Sequence, residues 1–236
     1  RGMRAPPLPA APPPSLLEAL DAFERGKLHL ARRLLEEATA RGDPMADGYL
    51  GMLHWLGKAG LPADAVEAVK HFRRAAHAGD AAAQVNLALA HLAGIGTERD
   101  EAAGRDWLEK AAALDHPAAL HALGRLAAAG RGAAPSLDKA RDYWRKAAEQ
   151  GYAPAMRAYG AALGDHHPIE ALAWLYAAAS LGADETAAKD AKFLASRMRA
   201  KDISMGHRKG RALARKLARN AHASTLLPHT TAEEAV

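Results

Sequence analysis

The chain has 236 residues, 49% of them hydrophobic, no cysteine and a formal charge of +5. The missing cysteine excludes disulfides, thiol catalysis and thiolate metal sites. No run of about 18 apolar residues is present, which excludes a membrane-spanning helix. Alanine dominates the apolar residues and β-branched residues are few, a balance that favours helix throughout.

Residues 1–14 carry Pro6, Pro7, Pro9 and Pro12, Pro13 and Pro14. Their fixed φ and missing N–H predict an extended lead-in. Two readings stand for the start: Arg1 and Gly2 precede a native start at Met3, or an export signal has been cut away. The first is the expectation, with a cytoplasmic location; the second would place the chain in the periplasm. Ser15 with Glu18 three residues on forms a capping box. Helices follow over 16–25 and 28–40, flanking Gly26, so that 15–43 reads as one helical hairpin.

From here the sequence repeats. Ala75-Ala76, Ala111-Ala112 and Ala147-Ala148 recur every 36 residues, as do Phe72, Leu108 and Trp144 and the positions Gly79, Asp115 and Gly151. Over 44–182 four units follow one plan. First helices place Ala46, Ala83, Ala119 and Ala155 four residues before Leu50, Leu87, Leu123 and Tyr159. The small residue lets a neighbouring backbone approach, and the large one fills the gap a turn later. Gly51, Gly124 and Gly160 come next and permit further close contact. After a loop (57–64, 94–100, 130–138, and a short 164–170), second helices carry Ala68, Phe72 and Ala75, then Gly104, Leu108 and Ala111. The later two carry Ala140, Trp144 and Ala147, then Ala171, Leu175 and Ala178. Gly79, Gly151 and Gly182 are expected as C-terminal caps. A period of this size signals stacked helical hairpins. The expected fold is all-α: a right-handed α-solenoid of about five helix-turn-helix repeats with C-terminal capping helices.

These residues resemble the Sel-one-like repeat family, relatives of the tetratricopeptide repeat, whose pattern is A-x-x-x-L-G-x-x-Y-x-x-G-x-G-x-x-x-D-x-x-x-A. The resemblance covers about 45–182, and the 15–43 hairpin is closer to a plain tetratricopeptide unit. His54, His91 and Ala127 stand where the family usually has tyrosine, and Ser136 where it has aspartate. The resemblance implies a peptide-binding inner wall formed by the first helices. It also implies a bacterial assembly, signalling, envelope or secretion role.

Beyond 182, residues 183–221 are expected to cap the array. A long helix is predicted over 184–201 with Ala188, Ala191, Leu194 and Met198 inward. A last helix, capped by Asp202 or Ser204 and running to about Ala221, has Leu213 and Leu217 on one face. Residues 222–236 have no periodicity and read as a loose tail.

Candidate chemistry is sparse. Gly94-Ile95-Gly96 and Gly130-Arg131-Gly132 follow helices rather than strands, so they read as inter-helix turns and not phosphate loops. Twelve histidines raise a metal reading, and His54 and His91 share a repeat position, but no HExxH or recurring carboxylate accompanies them. His166 and His167 read as exposed loop residues. There is no GxSxG. Glu36-Glu37 and the Glu98 with Asp100 pair read as solvated. No enzyme, metal site or cofactor is expected.

Two binding surfaces remain. Helical phase turns Met52, Trp55, Val85, Leu89, Leu92, His121, Arg125 and Arg157 toward the concave groove, apolar in its first half and basic in its second. Apolar patches and Trp or Arg anchors mark interfaces. The expected function is a non-enzymatic scaffold or adaptor holding a peptide or protein there. The alternative is a nucleic acid or acidic partner on the basic face of the last helix, at Arg208, Arg211, Arg215 and Arg219. That face lacks the interleaved aromatics of a single-strand binder.

Overall fold

The structure is a computed structural model that describes residues 14–182 and 185–221. Its twelve α-helices, in order, are α1 (Pro14–Glu24), α2 (Leu28–Ala40), α3 (Pro44–Leu56), α4 (Ala65–His77), α5 (Ala81–Ala93) and α6 (Glu101–Ala113). They continue with α7 (Pro117–Ala129), α8 (Leu137–Glu149), α9 (Ala153–Leu163), α10 (Pro168–Gly182), α11 (Glu185–Ala195) and α12 (Ala200–Ala221). No strand occurs among the described residues. The fold class is therefore the expected one, an all-α helical-repeat array. The proline-rich lead-in before Pro14 and the expected tail 222–236 lie outside the described residues. The chain divides into two compact units, 1–83 with 94–98, and 84–93 with 99–236.

In the first unit α1 packs on α2, α2 on α3 and α3 on α4. Its core joins Leu16, Leu35, Tyr49, Leu50 and Leu53 with small residues such as Ala19, Ala38 and Ala46. α3 and α4 close tightly because Gly51 faces the ring of Phe72, and a Cβ on Gly51 would stand 2.7 Å from that ring. α1 begins at Pro14, so Ser15 lies within its first turn and is not the cap.

The second unit repeats the device. Trp144 of α8 lies across Gly124 of α7, where a Cβ would meet its Nε1 at 2.3 Å. The indole N–H donates to the carbonyl of His121 at 3.2 Å, so the buried ring keeps its polar atom satisfied. Leu175 of α10 meets Gly160 of α9 in the same way. Between α5 and α6 the roles exchange: Gly104 is the small partner and Leu92 the large one.

Register comes from local chemistry. Asp64, Asp100 and Ser136 cap α4, α6 and α8, each accepting from a backbone N–H three residues on. Ser136 therefore does the capping work of the aspartate it replaces. The turn after each second helix is left-handed at Gly42, Gly79 and Gly151, and Asp115 takes the same conformation at φ +57°. Gly182 departs from this: it is the last residue of α10 and has no positive φ. The GxG loops are inter-helix turns, with positive φ at Gly94, Gly96, Gly130 and Gly132.

The C-terminal helices differ from expectation in their boundaries. α11 stops at Ala195, and Ser196–Arg199 form a turn in which Met198 packs with Leu194 and Ile203 against Leu163, Leu172 and Leu175. Ala187, not Ala188, is the fully buried alanine of α11. α12 opens at Ala200, so neither Asp202 nor Ser204 is its cap; Asp202 sits in the first turn and pairs with Arg199 at 2.9 Å. α12 lies along α10 through Gly206 against Leu172 and Gly210 against Tyr176, with Leu217 buried further on.

The Gly124 contact supports a direct prediction. Gly124→Ala should destabilise the protein by about 2 kcal/mol, because Trp144 must leave its seat to admit the methyl. Urea titration followed by circular dichroism measures it, and an unchanged midpoint would contradict the interlock.

Candidate partner-binding groove

Met52 and Trp55 stand on α3, half-buried, and Trp55 meets Phe72 with ring centroids 6.2 Å apart. Both belong to the first unit. Val85, Leu89 and Leu92, expected to face an open groove, are core residues of α5, at 0%, 2% and 4% exposure. The physical reason is that α5 is covered on more of its circumference than the other first helices, buried without a break from Ala83 to Ala90. Leu92 lines two cavities of about 350 and 100 Å³ and Leu89 only the smaller of them.

The basic half of the expected groove does assemble. His121 and Arg125 on α7 and Arg157 on α9 line one cavity of about 520 Å³ in the second unit. Its apolar wall is Leu137, Trp144, Pro154, Ala158, Ala161 and Ala162. The size falls within the range of small-ligand sites. The repeat explains part of the arrangement: Arg157 stands two residues before Tyr159, as His121 stands two before Leu123, and Arg125 directly follows the glycine seat of Trp144. Arg125 is exposed and has no ion-pair partner among the described residues, whereas Arg157 Nε donates to Oδ2 of Asp190 on α11 at 2.8 Å. The His121 ring lies 5.7 Å from that of Tyr152.

Arg125 also borders a second, smaller cavity with Ala122, Leu126, Ala129 and Arg131, so the groove continues along α7. Charge there is already spent. Arg131 Nη2 donates to Glu101 at 2.8 Å and Arg105 donates to the Arg131 carbonyl. Arg131, and after it Arg99, hold the Glu101 carboxyl down to about 2.

One cluster was not anticipated. Asp47 of α3 is buried and faces α4. Its Oδ2 accepts from Arg74 Nε at 2.9 Å and its Oδ1 from Arg74 Nη2 at 2.8 Å, with His71 Nδ1 at 2.6 Å. His54 stacks on His71 at 5.3 Å. Burial pushes the Asp47 carboxyl up, but Arg74 and His71 outweigh it and hold the group below its ordinary value. Burial, then His71, push His54 down. The signal was present in the spacing: Asp47 and His54 are seven apart on α3, and Glu67, His71 and Arg74 share one face of α4. The cluster ties two helices together. Among the described residues no group of three or more His, Asp or Glu is placed to hold a metal. Glu36 pairs with Arg32, and Asp100 caps α6.

On α12, Arg208, Lys209, Arg211, Arg215 and Lys216 are exposed and have no ion-pair partner among the described residues. The side chain of Arg219 lies outside the described residues. The helix spends its small and apolar side on α10, and no described helix is long and apolar enough to cross a membrane.

Tandem helical hairpins locked by glycine seats define a helical-repeat protein. More particularly, the Sel1 repeat profile matches residues 44–80, 81–116, 117–152 and 154–182, and the chain belongs to that family. Sel1 repeats are generally non-catalytic modules for protein–protein interaction. The chain is 37% identical over 124 residues to the uncharacterized protein NMB1327 of Neisseria meningitidis serogroup B. That match covers 51% of the chain and only 26% of the relative's length. Among solved structures it resembles c5321, a protective antigen of uropathogenic Escherichia coli with an SLR fold, at TM-score 0.76 and 23% identity. That likeness covers 92% of this chain and 49% of the other. A Sel1 repeat protein from Oxalobacter formigenes matches at TM-score 0.66 and 22% identity, over 94% and 93% of the two chains. Both likenesses speak to the fold.

The Asp47 cluster generates a pH prediction. A carboxyl whose folded value lies below its unfolded one contributes fully above the unfolded value, about pH 4. That contribution is lost as pH falls through the depressed folded value. Asp47→Ala should cost about 3 kcal/mol at pH 7, because it strands a buried His71 and one side of Arg74. The difference from wild type should shrink toward pH 3. Urea titrations at the two pH values measure it, and an equal difference at both would remove the carboxylate charge from the account.

Proposed function

We propose that the chain is a non-enzymatic scaffold or adaptor that holds a peptide or protein partner in the groove along α7 and α9. The observation that carries this reading is the convergence of His121, Arg125 and Arg157 with Leu137 and Trp144 around one cavity. An arginine beside an aromatic ring and exposed apolar surface is the composition of an interface anchor. Membership of an interaction-repeat family supports the class of function. Met52 and Trp55 present a separate half-buried apolar surface in the first unit and are a secondary contact in this reading.

A second reading rests on α12. Five exposed cations between Arg208 and Lys216 stand without carboxylate partners among the described residues, a distribution suited to a phosphate backbone or an acidic protein. Because the apolar side of α12 is occupied by α10, this contact would be electrostatic and steeply salt-dependent.

The two readings separate in one affinity-capture experiment with quantitative mass spectrometry. With Arg125→Glu/Leu137→Ala, the main partner should fall at least tenfold, and Arg208→Glu/Arg215→Glu should retain it. Circular dichroism would establish that each variant is folded. The opposite pattern, with loss of the captured material after nuclease treatment, would transfer the function to α12.

A further inference from the structure

We infer that the α7–α9 cavity selects an acidic side chain beside an apolar one within an extended peptide, and that Asp190 is an intramolecular competitor for that acidic group. The inference rests on the groove reading above and adds the chemistry of the occupant.

Charge complementarity carries the first part. No carboxylate lines the cavity, while Arg125 and Arg157 both do. The neighbouring groove arginines are committed, Arg131 to Glu101 and Arg105 to a backbone carbonyl. Unspent positive charge is therefore concentrated at one point of the groove, on a residue whose planar guanidinium suits a carboxylate. Beside it, Leu137 is 51% exposed and the alanines of α9 leave room for an aliphatic side chain. In an extended segment, residues i and i+2 share a face at roughly 6.6 Å separation. A cavity of about 520 Å³ accommodates such a pair. The groove runs on past Arg125 to Ala122 and Ala129, so the chain can pass through, and the acidic group is a side chain rather than a terminus.

Asp190 carries the second part. Its carboxylate already sits on Arg157 Nε, and both side chains remain partly exposed, at 35% and 41%. An exposed pair of this kind is weak and exchangeable. A ligand carboxylate competes with it for the same guanidinium, so α11 sets the threshold for binding.

The test uses the full chain and two acetylated, amidated heptapeptides. One carries Leu and Glu two residues apart, and the other has Gln in place of Glu. Side-chain ¹⁵N–¹H signals of Trp144 Nε1 and Arg157 Nε report occupancy. The Glu peptide should shift both signals and bind at least tenfold more tightly than the Gln peptide. Arg125→Gln should weaken the Glu peptide about tenfold, and Asp190→Asn should tighten it several-fold. Equal binding of the two peptides at Trp144 would overturn the acidic selection while leaving the groove reading in place. Shifts confined to α12 would overturn both. An unchanged affinity in Asp190→Asn would overturn the competitor role, and no shift with either peptide up to millimolar concentration would overturn the inference as a whole.

Discussion

The contact on which the hairpins depend is the seating of one large side chain on the bare backbone of the facing helix. Phe72 on Gly51 and Trp144 on Gly124 leave no space for even a methyl group, and Leu175 on Gly160 leaves a tight fit for one. Close approach converts an amphipathic pair of helices into a dense one with few large residues, which is how a chain so rich in alanine buries enough surface to fold. The α5–α6 pair shows that the requirement is for one small and one large partner and not for a particular helix to supply either, since Gly104 and Leu92 satisfy it in reverse.

Spacing is then held by backbone chemistry. Side-chain caps at Asp64, Asp100 and Ser136 start the second helices, and left-handed turns at Gly79, Asp115 and Gly151 end them. Both devices recur at 36 residues, so equivalent positions of successive first helices acquire equivalent environments. That recurrence brings His121 and Arg157 to the same cavity from two helices, and Arg125 joins them from one turn further along α7. The glycine seat contributes to the site as well: it sinks Trp144 until only 8% of it is exposed, and the remaining edge becomes a wall beside the arginines.

What distinguishes the surfaces is which charges remain unspent. Arg74, Arg105 and Arg131 are all consumed by partners on neighbouring helices or loops. Among the described residues Arg125 is free of such a partner and Arg157 is held through a single nitrogen. Counting cations along the chain does not separate these cases, because an arginine becomes structural or available according to what stands opposite it.

The sequence by itself determined the all-α repeat, its period, the left-handed turns at Gly79 and Gly151, the GxG turns and the basic character of α7 and α9. All of these follow from local spacing or from propensities summed over a helix. The caps it suggested at Ser15, at Asp202 or Ser204 and at Gly182 are not those the structure uses. Only the tertiary structure decided that Val85, Leu89 and Leu92 are buried, that α11 ends at Ala195, that Gly182 stays helical and that Asp47 binds Arg74 and His71. It also decided that Asp190 occupies Arg157. Helical phase says which side of a helix a residue takes, but how much of that side is covered depends on neighbours distant in sequence. For an ion pair across 24 or 33 residues, spacing can place each half on a helix face, but which group stands opposite it is decided only when packing brings the two helices together.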